Sequence, residues 1–339
     1  WEITFEEIHR NGAIAFAIYN YVRHTGDKDY LKVYGRAVVN GIARFWAQRF
    51  NWSNNQNSYV MLGVTGPNEY ENNVNNNWYT NYIARWCLQY ALELEQEFAA
   101  QDKALLTDVE ITKFHHIIEN VYFPKLEGTR VYLQQDGFMD KELLNAADLP
   151  QSERPINQHW SWDRILRSVF IKQADVLQGI YLFEDQFDID TIRENFDFYE
   201  PKTVHESSLS PCIHAIIAAK IGNMDKAYEM YLRTSRLDLD DYNHEADEGL
   251  HITSMAGTWM SVVEGFAGVR VHDGKVHLNP TIPQAWKSYT FKIKIQNKSI
   301  EILVNQSGFD VVNLSDADIT YFFENKPHTL PAKHASEVL

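Results

Sequence analysis

The chain has 339 residues, 45% of them apolar and 13% aromatic, and 31 basic against 46 acidic side chains leave a net charge of −15. That much apolar material closes a substantial core, which excludes wholesale disorder, and the acidic balance excludes a general nucleic-acid binder and disfavours docking on an anionic bilayer. Two cysteines, Cys87 and Cys212, imply no disulfide scaffold and fit a reducing compartment, and no apolar run approaches the roughly 18 residues of a membrane span.

The chain opens Trp1-Glu2-Ile3-Thr4-Phe5, without an initiator Met or a signal peptide, and enters a helical pattern at once, as though a longer chain had been cut. Phe5, Ile8, Gly12, Phe16, Tyr19 and Val22 recur at three- and four-residue spacing and paint one face of a first helix. Asp27 offers an N-cap for a second, with Leu31, Tyr34, Val38, Ile42, Phe45 and Trp46 on one side. Tyr79, Ile83, Trp86, Tyr90 and Leu94 mark a third. Further helices are expected over residues 108–120, 163–184, 188–197, 209–221, 225–236 and 251–265. The loops over 51–77 and 123–162 exceed the usual connection length, and long loops in a compact domain are more often functional than idle.

Near Gly265-Phe266-Ala267-Gly268 the period changes from 3.6 to 2. Val269 and Val271 alternate, Asp273-Gly274 supplies a hairpin turn, and Val276 with Leu278 resumes the alternation. Phe291, Ile293 and Ile295, then Ile300, Ile302 and Val304, then Ile319, Tyr321 and Phe323 repeat it. The reading is mainly α over residues 1–268, followed by a small β-sandwich over 269–339. Asn-x-Ser triplets at Asn51, Asn297, Asn305 and Asn313 are too short a pattern to argue for secretion.

Several signatures are absent: a phosphate-cradling glycine loop, a Gly-x-Ser-x-Gly elbow, His-Glu-x-x-His and Cys-x-x-Cys. No cofactor and no metal site is therefore expected. The acidic run from Asp238 to Glu248 fails the EF-hand pattern, with Asn243 at the turn-glycine position and Gly249 at the closing-glutamate position. Gly63-Val-Thr-Gly66-Pro67-Asn68-Glu69-Tyr70-Glu71 sets one carboxylate among rigid turn residues, with Trp52, Tyr59, Trp78 and Tyr79 nearby in sequence. Glu69 caps the next helix, or faces water, or packs among rings that raise its pKa for general-acid work on a sugar. In His205-Glu206-Ser207-Ser208 two hydroxyls precede a helix, where they either cap it or hold an anion. Lys172-Gln173 fall inside the helix expected over 163–184, and His251 sits in a loop before the helix expected over 251–265.

Taken in order, Glu6-Glu7-Ile8-His9, Val64-Thr65-Gly66-Pro67-Asn68-Glu69-Tyr70, Asn75-Asn76-Asn77-Trp78-Tyr79-Thr80-Asn81, Lys172-Gln173, His205-Glu206-Ser207-Ser208-Leu209-Ser210 and Gly249-Leu250-His251 resemble the disaccharide phosphorylases of glycoside hydrolase family 65. Many members have Asp where this chain has Asn68 and His where it has Glu71, and the version here resembles the bacterial branch that cleaves maltose. The resemblance implies an (α/α)6 barrel, incomplete here because its first helices and an N-terminal sandwich are missing, followed by the small sandwich. It implies a bacterial, cytoplasmic, homodimeric enzyme whose partners are a disaccharide and inorganic phosphate, the latter a co-substrate rather than a cofactor. The implied reaction is inverting phosphorolysis of maltose to β-glucose 1-phosphate and glucose. Glu69 would be the acid, Lys172 and Gln173 would bind sugar, and Ser207, Ser208 and His251 would hold phosphate. The competing expectations are phosphorolysis of kojibiose or trehalose, a hydrolase of the α-glucosidase or trehalase type on the same barrel with Glu206 as its base, and a non-catalytic carbohydrate-binding piece.

Overall fold

The computed structural model describes residues 2–272 and 274–338. Trp1, read above as part of a longer chain's interior, and Asp273 of the expected turn lie outside the described residues. The chain is mostly helical with a small C-terminal β domain. It divides into two compact units: one takes the residues up to Tyr19 with Lys28–Ser210, the other Asn20–Asp27 with everything from Pro211 onward.

Helix α1 (Arg10–Thr25) begins the chain's helical run, its residues up to Tyr19 counted with the first unit and those from Asn20 with the second. Lys28–Tyr30, the wider π turns of Leu31–Gly35 and α2 (Arg36–Arg49) follow one another without a break. α3 (Trp78–Phe98) starts where Asn77 caps it, its side-chain oxygen accepting from Thr80 N–H. α4 (Asp108–Asn120) carries a full capping box between Thr107 and Glu110. α5 (Val176–Leu182) and α6 (Ile189–Tyr199) complete the set, the latter capped by Asp188. Aromatic rings fill the spaces between helices: Trp78 stacks on Tyr82 and Tyr132 at 4.8 and 4.9 Å, and Phe16 meets Trp86 and Phe183. Full burial of such a side chain stabilises by about 2 kcal/mol.

The helix expected over 163–184 is not one helix. A short turn at Trp162–Leu166 and α5 are separated by an irregular stretch in which Val169 N–H donates to Glu142 O at 3.1 Å and Ile171 N–H to Lys202 O at 3.0 Å. Ile171 O in turn accepts from Val204 N–H. Val169-Phe170-Ile171 is a short apolar run buried on both sides, a pattern that a strand and a buried helix share. Lateral backbone partners decide the matter here, so Lys172 and Gln173 leave an extended segment rather than the edge of a helix.

In the second unit lie α7 (Ser210–Lys220), entered from the first unit's last residue, α8 (Met224–Ser235) and α9 (Ile252–Met260), which runs on as π turns over Ser261–Phe266. Of the strands, β1 (Asn51–Ser53) and β2 (Ser58–Val60) form a hairpin in the first unit's opening loop. The rest belong to the terminal domain: β3 (Arg270–His272), β4 (Lys275–Leu278), β5 (Ser288–Ile295), β6 (Lys298–Asn305), β7 (Gly308–Asn313), β8 (Ile319–Phe323), β9 (Lys326–Leu330) and β10 (Ala335–Val338). They make two sheets of order β10-β7-β6-β5 and β3-β4-β8-β9, with β4 and β8 paired in parallel. Val271, Val276, Leu278 and Tyr321 from one sheet share a core with Ile300, Ile302, Val304 and Val311 from the other, the inward positions the alternation marks. The expected strands at 291–295, 300–304 and 319–323 are all present.

Candidate active site

The loop that carries Glu69 is built by amides. Val64 and Val74 exchange both backbone hydrogen bonds, at 2.9 and 2.8 Å, and close the loop on itself. Glu6 secures the closure, its Oε2 accepting from Thr65 Oγ1 at 2.8 Å and from Asn73 N–H at 2.7 Å. Asn76 Oδ1 accepts from Met61 N–H, and Asn77 Nδ2 donates to Gln134 O. Asn68, Asn76 and Asn77 are all buried. The asparagine-rich stretch thus satisfies backbone groups of a buried loop that makes no ladder.

At its centre Asn68 is held on three sides. Its N–H donates to Asp175 Oδ2 at 3.2 Å, and its Oδ1 accepts from Tyr70 N–H at 3.2 Å and Lys172 N–H at 3.0 Å. The next residue, Glu69, is half-buried and pairs with Lys172 Nζ at 2.6 Å. Gln173 Nε2 donates to Pro67 O at 2.7 Å, and Ser207 Oγ donates to Gln173 Oε1. Glu69, Lys172, Gln173 and Ser207 therefore stand in one connected group on the first unit. The backbone of His205 has φ of 56°, in the left-handed region uncommon for residues other than glycine, and its ring Nδ1 is 2.8 Å from Ser210 Oγ. That bend precedes Glu206-Ser207-Ser208. Ser207 also accepts from Leu209 N–H at 3.2 Å, a capping contact just ahead of α7.

The rings expected around Glu69 are engaged elsewhere. Trp52 and Tyr59 pack on each other and on His116, Trp78 stacks on Tyr82 and Tyr132, and Tyr79 meets the edge of His9. The carboxylate faces an ammonium instead of an aromatic cage. Sequence proximity failed because Trp52 and Tyr59 belong to a hairpin packed on His116, while Trp78 and Tyr79 start a helix whose rings turn to the core.

Glu206, the base a hydrolase would need, is buried and occupied: Tyr70 Oη donates to it at 2.5 Å and Ile156 N–H reaches both of its oxygens at 3.0 Å. Two further groups near Glu69 had no assigned role. Burial pushes the Glu7 carboxyl up, Arg10 beside it offsets this, and the charges of Glu69 and Lys172 act on it in opposite senses. Burial pushes the His9 imidazole down to about 4 although Thr65 O accepts from its ring, 3.0 Å away. Their place in the Glu6-Glu7-Ile8-His9 motif was the available signal.

His251 belongs to the second unit. Its Nδ1 lies 2.5 Å from Asp238 Oδ1, its N–H donates to Asp238 Oδ2 at 3.0 Å, and Glu245 stands 3.8 Å from Nε2. The hydrogen bond from His251 holds the Asp238 carboxyl below its ordinary value. Asp241 Oδ1 accepts from Glu245 and Ala246 N–H. Within the acidic run Asp238 thus serves an imidazole, Asp241 a backbone turn, and Asp240 pairs with Arg236. No helix among the described residues is long and apolar enough to cross a membrane.

Comparison with known proteins gives two matches to family models, the glycosyl hydrolase family 65 central catalytic domain over residues 1–260 and the family 65 C-terminal domain over 269–330. A maltose phosphorylase of Bacillus subtilis is 53% identical over 308 residues, covering 90% of this chain and 41% of its own length. A kojibiose phosphorylase of Halothermothrix orenii is 35% identical over 319 residues, covering 91% and 41%. A solved structure titled a putative kojibiose phosphorylase from human microbiome superposes with a TM-score of 0.88 at 32% identity, over 97% of this chain and 46% of that one. The chain thus spans less than half the length of these relatives.

Proposed function

The chain belongs to glycosyl hydrolase family 65, and on that premise we propose that it carries the acid and sugar-binding groups of an inverting phosphorylase acting on maltose. The observation that carries the reading is the contrast between two carboxylates: Glu69 is half-buried beside Lys172, while both oxygens of Glu206 are taken by Tyr70 and Ile156. An inverting hydrolase needs an acid and a base that activates water. A phosphorylase needs only the acid, since phosphate is already an anionic nucleophile.

Glu69 gives its proton to the glycosidic oxygen as the C1–O bond breaks, and a phosphate oxygen attacks C1 from the opposite face. The new C1–O–P bond has the β configuration, glucose leaves with the proton, and atoms and charge balance. Lys172 and Gln173 bind the glucosyl unit in this reading. The Lys172 pairing with Glu69 marks where sugar hydroxyls compete for the ammonium. Ser207, Ser208 and His251 are the proposed phosphate ligands, with His251 assigned by the family resemblance alone. A protein of net charge −15 must hold phosphate by such local donors, because its long-range field repels the anion.

The finer fold reading, an (α/α)6-barrel portion over 1–268 and a sandwich domain over 269–339, is part of the proposal, as are homodimerisation and a cytoplasmic location. Maltose is preferred to kojibiose and trehalose on the higher identity to the maltose phosphorylase. The intact protein should release glucose from maltose only when phosphate is present, and Glu69→Gln should lower that rate at least ~1,000-fold. Equal consumption of maltose without phosphate would overturn the assignment.

A further inference from the structure

Among the described residues no cation stands against the buried carboxylate of Asp175. It is 2% exposed, and although it stands at the N-cap position of α5 its side chain makes no capping bond. Its donors are Asn68 N–H at 3.2 Å and Asn77 Nδ2 at 3.0 and 3.1 Å from its two oxygens. Burying a charged group this way is costly unless its place is needed. The loop is pressed against it: a Cβ on Gly66 would lie 2.3 Å from both Asp175 Oδ2 and Asn77 Nδ2.

We propose that Asp175 is a positioning residue for the general acid, fixing Asn68 so that Glu69 and Lys172 meet at the reacting oxygen. The linkage is short. Asp175 holds the Asn68 N–H, Asn68 Oδ1 holds the backbone of Lys172, and Glu69 follows Asn68 in the chain. Asn77 anchors the other side, because its own Oδ1 is committed to Thr80 N–H and Oγ1 at 2.8 and 2.7 Å and cannot rotate to accept. A displacement of about 1 Å in such a network costs on the order of 100-fold in rate. This inference rests on Glu69 being the acid.

The test compares two glucosyl donors in the intact protein with phosphate. Maltose needs a proton on its leaving oxygen, whereas α-glucosyl fluoride expels fluoride without one. In Asp175→Asn the new amide sets a donor against Asn77 Nδ2, so maltose turnover should fall ~100-fold while fluoride turnover and the KM for phosphate change little. The reciprocal pair D175N/N77D restores one acceptor between the two positions and still caps α3, and should recover at least ~10-fold of the loss. Gly66→Ala leaves the carboxylate but pushes the loop off it, and should show the same selective loss. Parallel loss of both donors in Asp175→Asn and Gly66→Ala would overturn the proposal in favour of a merely structural role, as would unchanged maltose turnover in both. If Asp175→Asn does not fold, Gly66→Ala decides between the same two outcomes. Glu69→Gln runs alongside: if it does not itself spare the fluoride while losing maltose, the acid assignment fails, and the two failures are told apart.

Discussion

Glu71 and Lys141 place a full charge pair where water is scarce. Glu71 is 4% exposed, its Oε1 accepts from Lys141 Nζ, and the same ammonium donates to Leu166 O at 2.6 Å. Burial lowers the Lys141 ammonium to about 8. Removing one member of such a pair is worse than removing both, because the survivor keeps its desolvation cost. Lys141→Met should therefore destabilise the protein by about 3 kcal/mol, and E71Q/K141M by clearly less, as measured by denaturant unfolding. A double variant no more stable than Lys141→Met would show that the pair is not coupled. At this scale the sequence marked Glu69, Lys172, Gln173 and Ser207 through motif order, and the structure pairs Glu69 with Lys172 and Ser207 with Gln173, whose amide holds Pro67 O. Asp175 and Asn77 were not legible. Their partnership bridges 98 positions, and amides and carboxylates in loops carry no periodic signal.

Helix α5 approaches α3 through Gly179. A Cβ there would lie 2.6 Å from Trp78 Cζ3 and 3.1 Å from Tyr79 Cδ2, and Trp78 is already clamped between Tyr82 and Tyr132. The indole has nowhere to yield, so Gly179→Ala should cost about 2 kcal/mol through overpacking, despite alanine's better helix propensity. A thermal melt unchanged from wild type would contradict this. Long helices such as α3 and α4 were readable because their apolar positions repeat over several turns, whereas their caps at Asn77 and Thr107 were not singled out. The stretch from Val169 to Asp175 was not readable, because three consecutive apolar residues fit a buried strand as well as a helix. Only the carbonyls of Glu142 and Lys202, distant in sequence, settle its backbone.

At the scale of the molecule, alternation alone marked the strands of the terminal β domain, whereas the parallel meeting of β4 and β8 had no sequence signature. Two buried groups of the first unit set opposing pH dependences of stability. Desolvation raises the Asp175 carboxyl from 3.8 to about 7, over the pull of its hydrogen bonds from Asn68 and Asn77, with the phenols of Tyr79 and Tyr199 near it. Between those values the folded state keeps a proton that the unfolded state has lost, so this contribution falls as pH rises. His9, lowered from 6.5 to about 4 with Arg10 and Glu69 near it, does the reverse: the unfolded state is protonated, the folded state is not, and stability rises with pH. From pH 4 to 6.5 the two nearly cancel, each worth about 1.4 kcal/mol per pH unit. The stability difference from wild type should shift in favour of Asp175→Asn and against His9→Gln as pH rises through that window, whatever the offset at its lower end, read as melting temperatures by circular dichroism. Parallel curves for all three proteins would refute the opposition. The pairing of β4 with β8 also bears on synthesis. Val276, His277 and Leu278 find their partners at Tyr321, Phe322 and Phe323, and Gln296 N–H closes back on His24 O at 2.6 Å. On the ribosome, β4 emerges some forty residues ahead of the strand that completes it, so this sheet closes only once residues 319–323 have followed. A nascent chain stalled before Ile319 would present β4 as an open edge, and edge-capping chaperones would find their target there rather than in the helices already made.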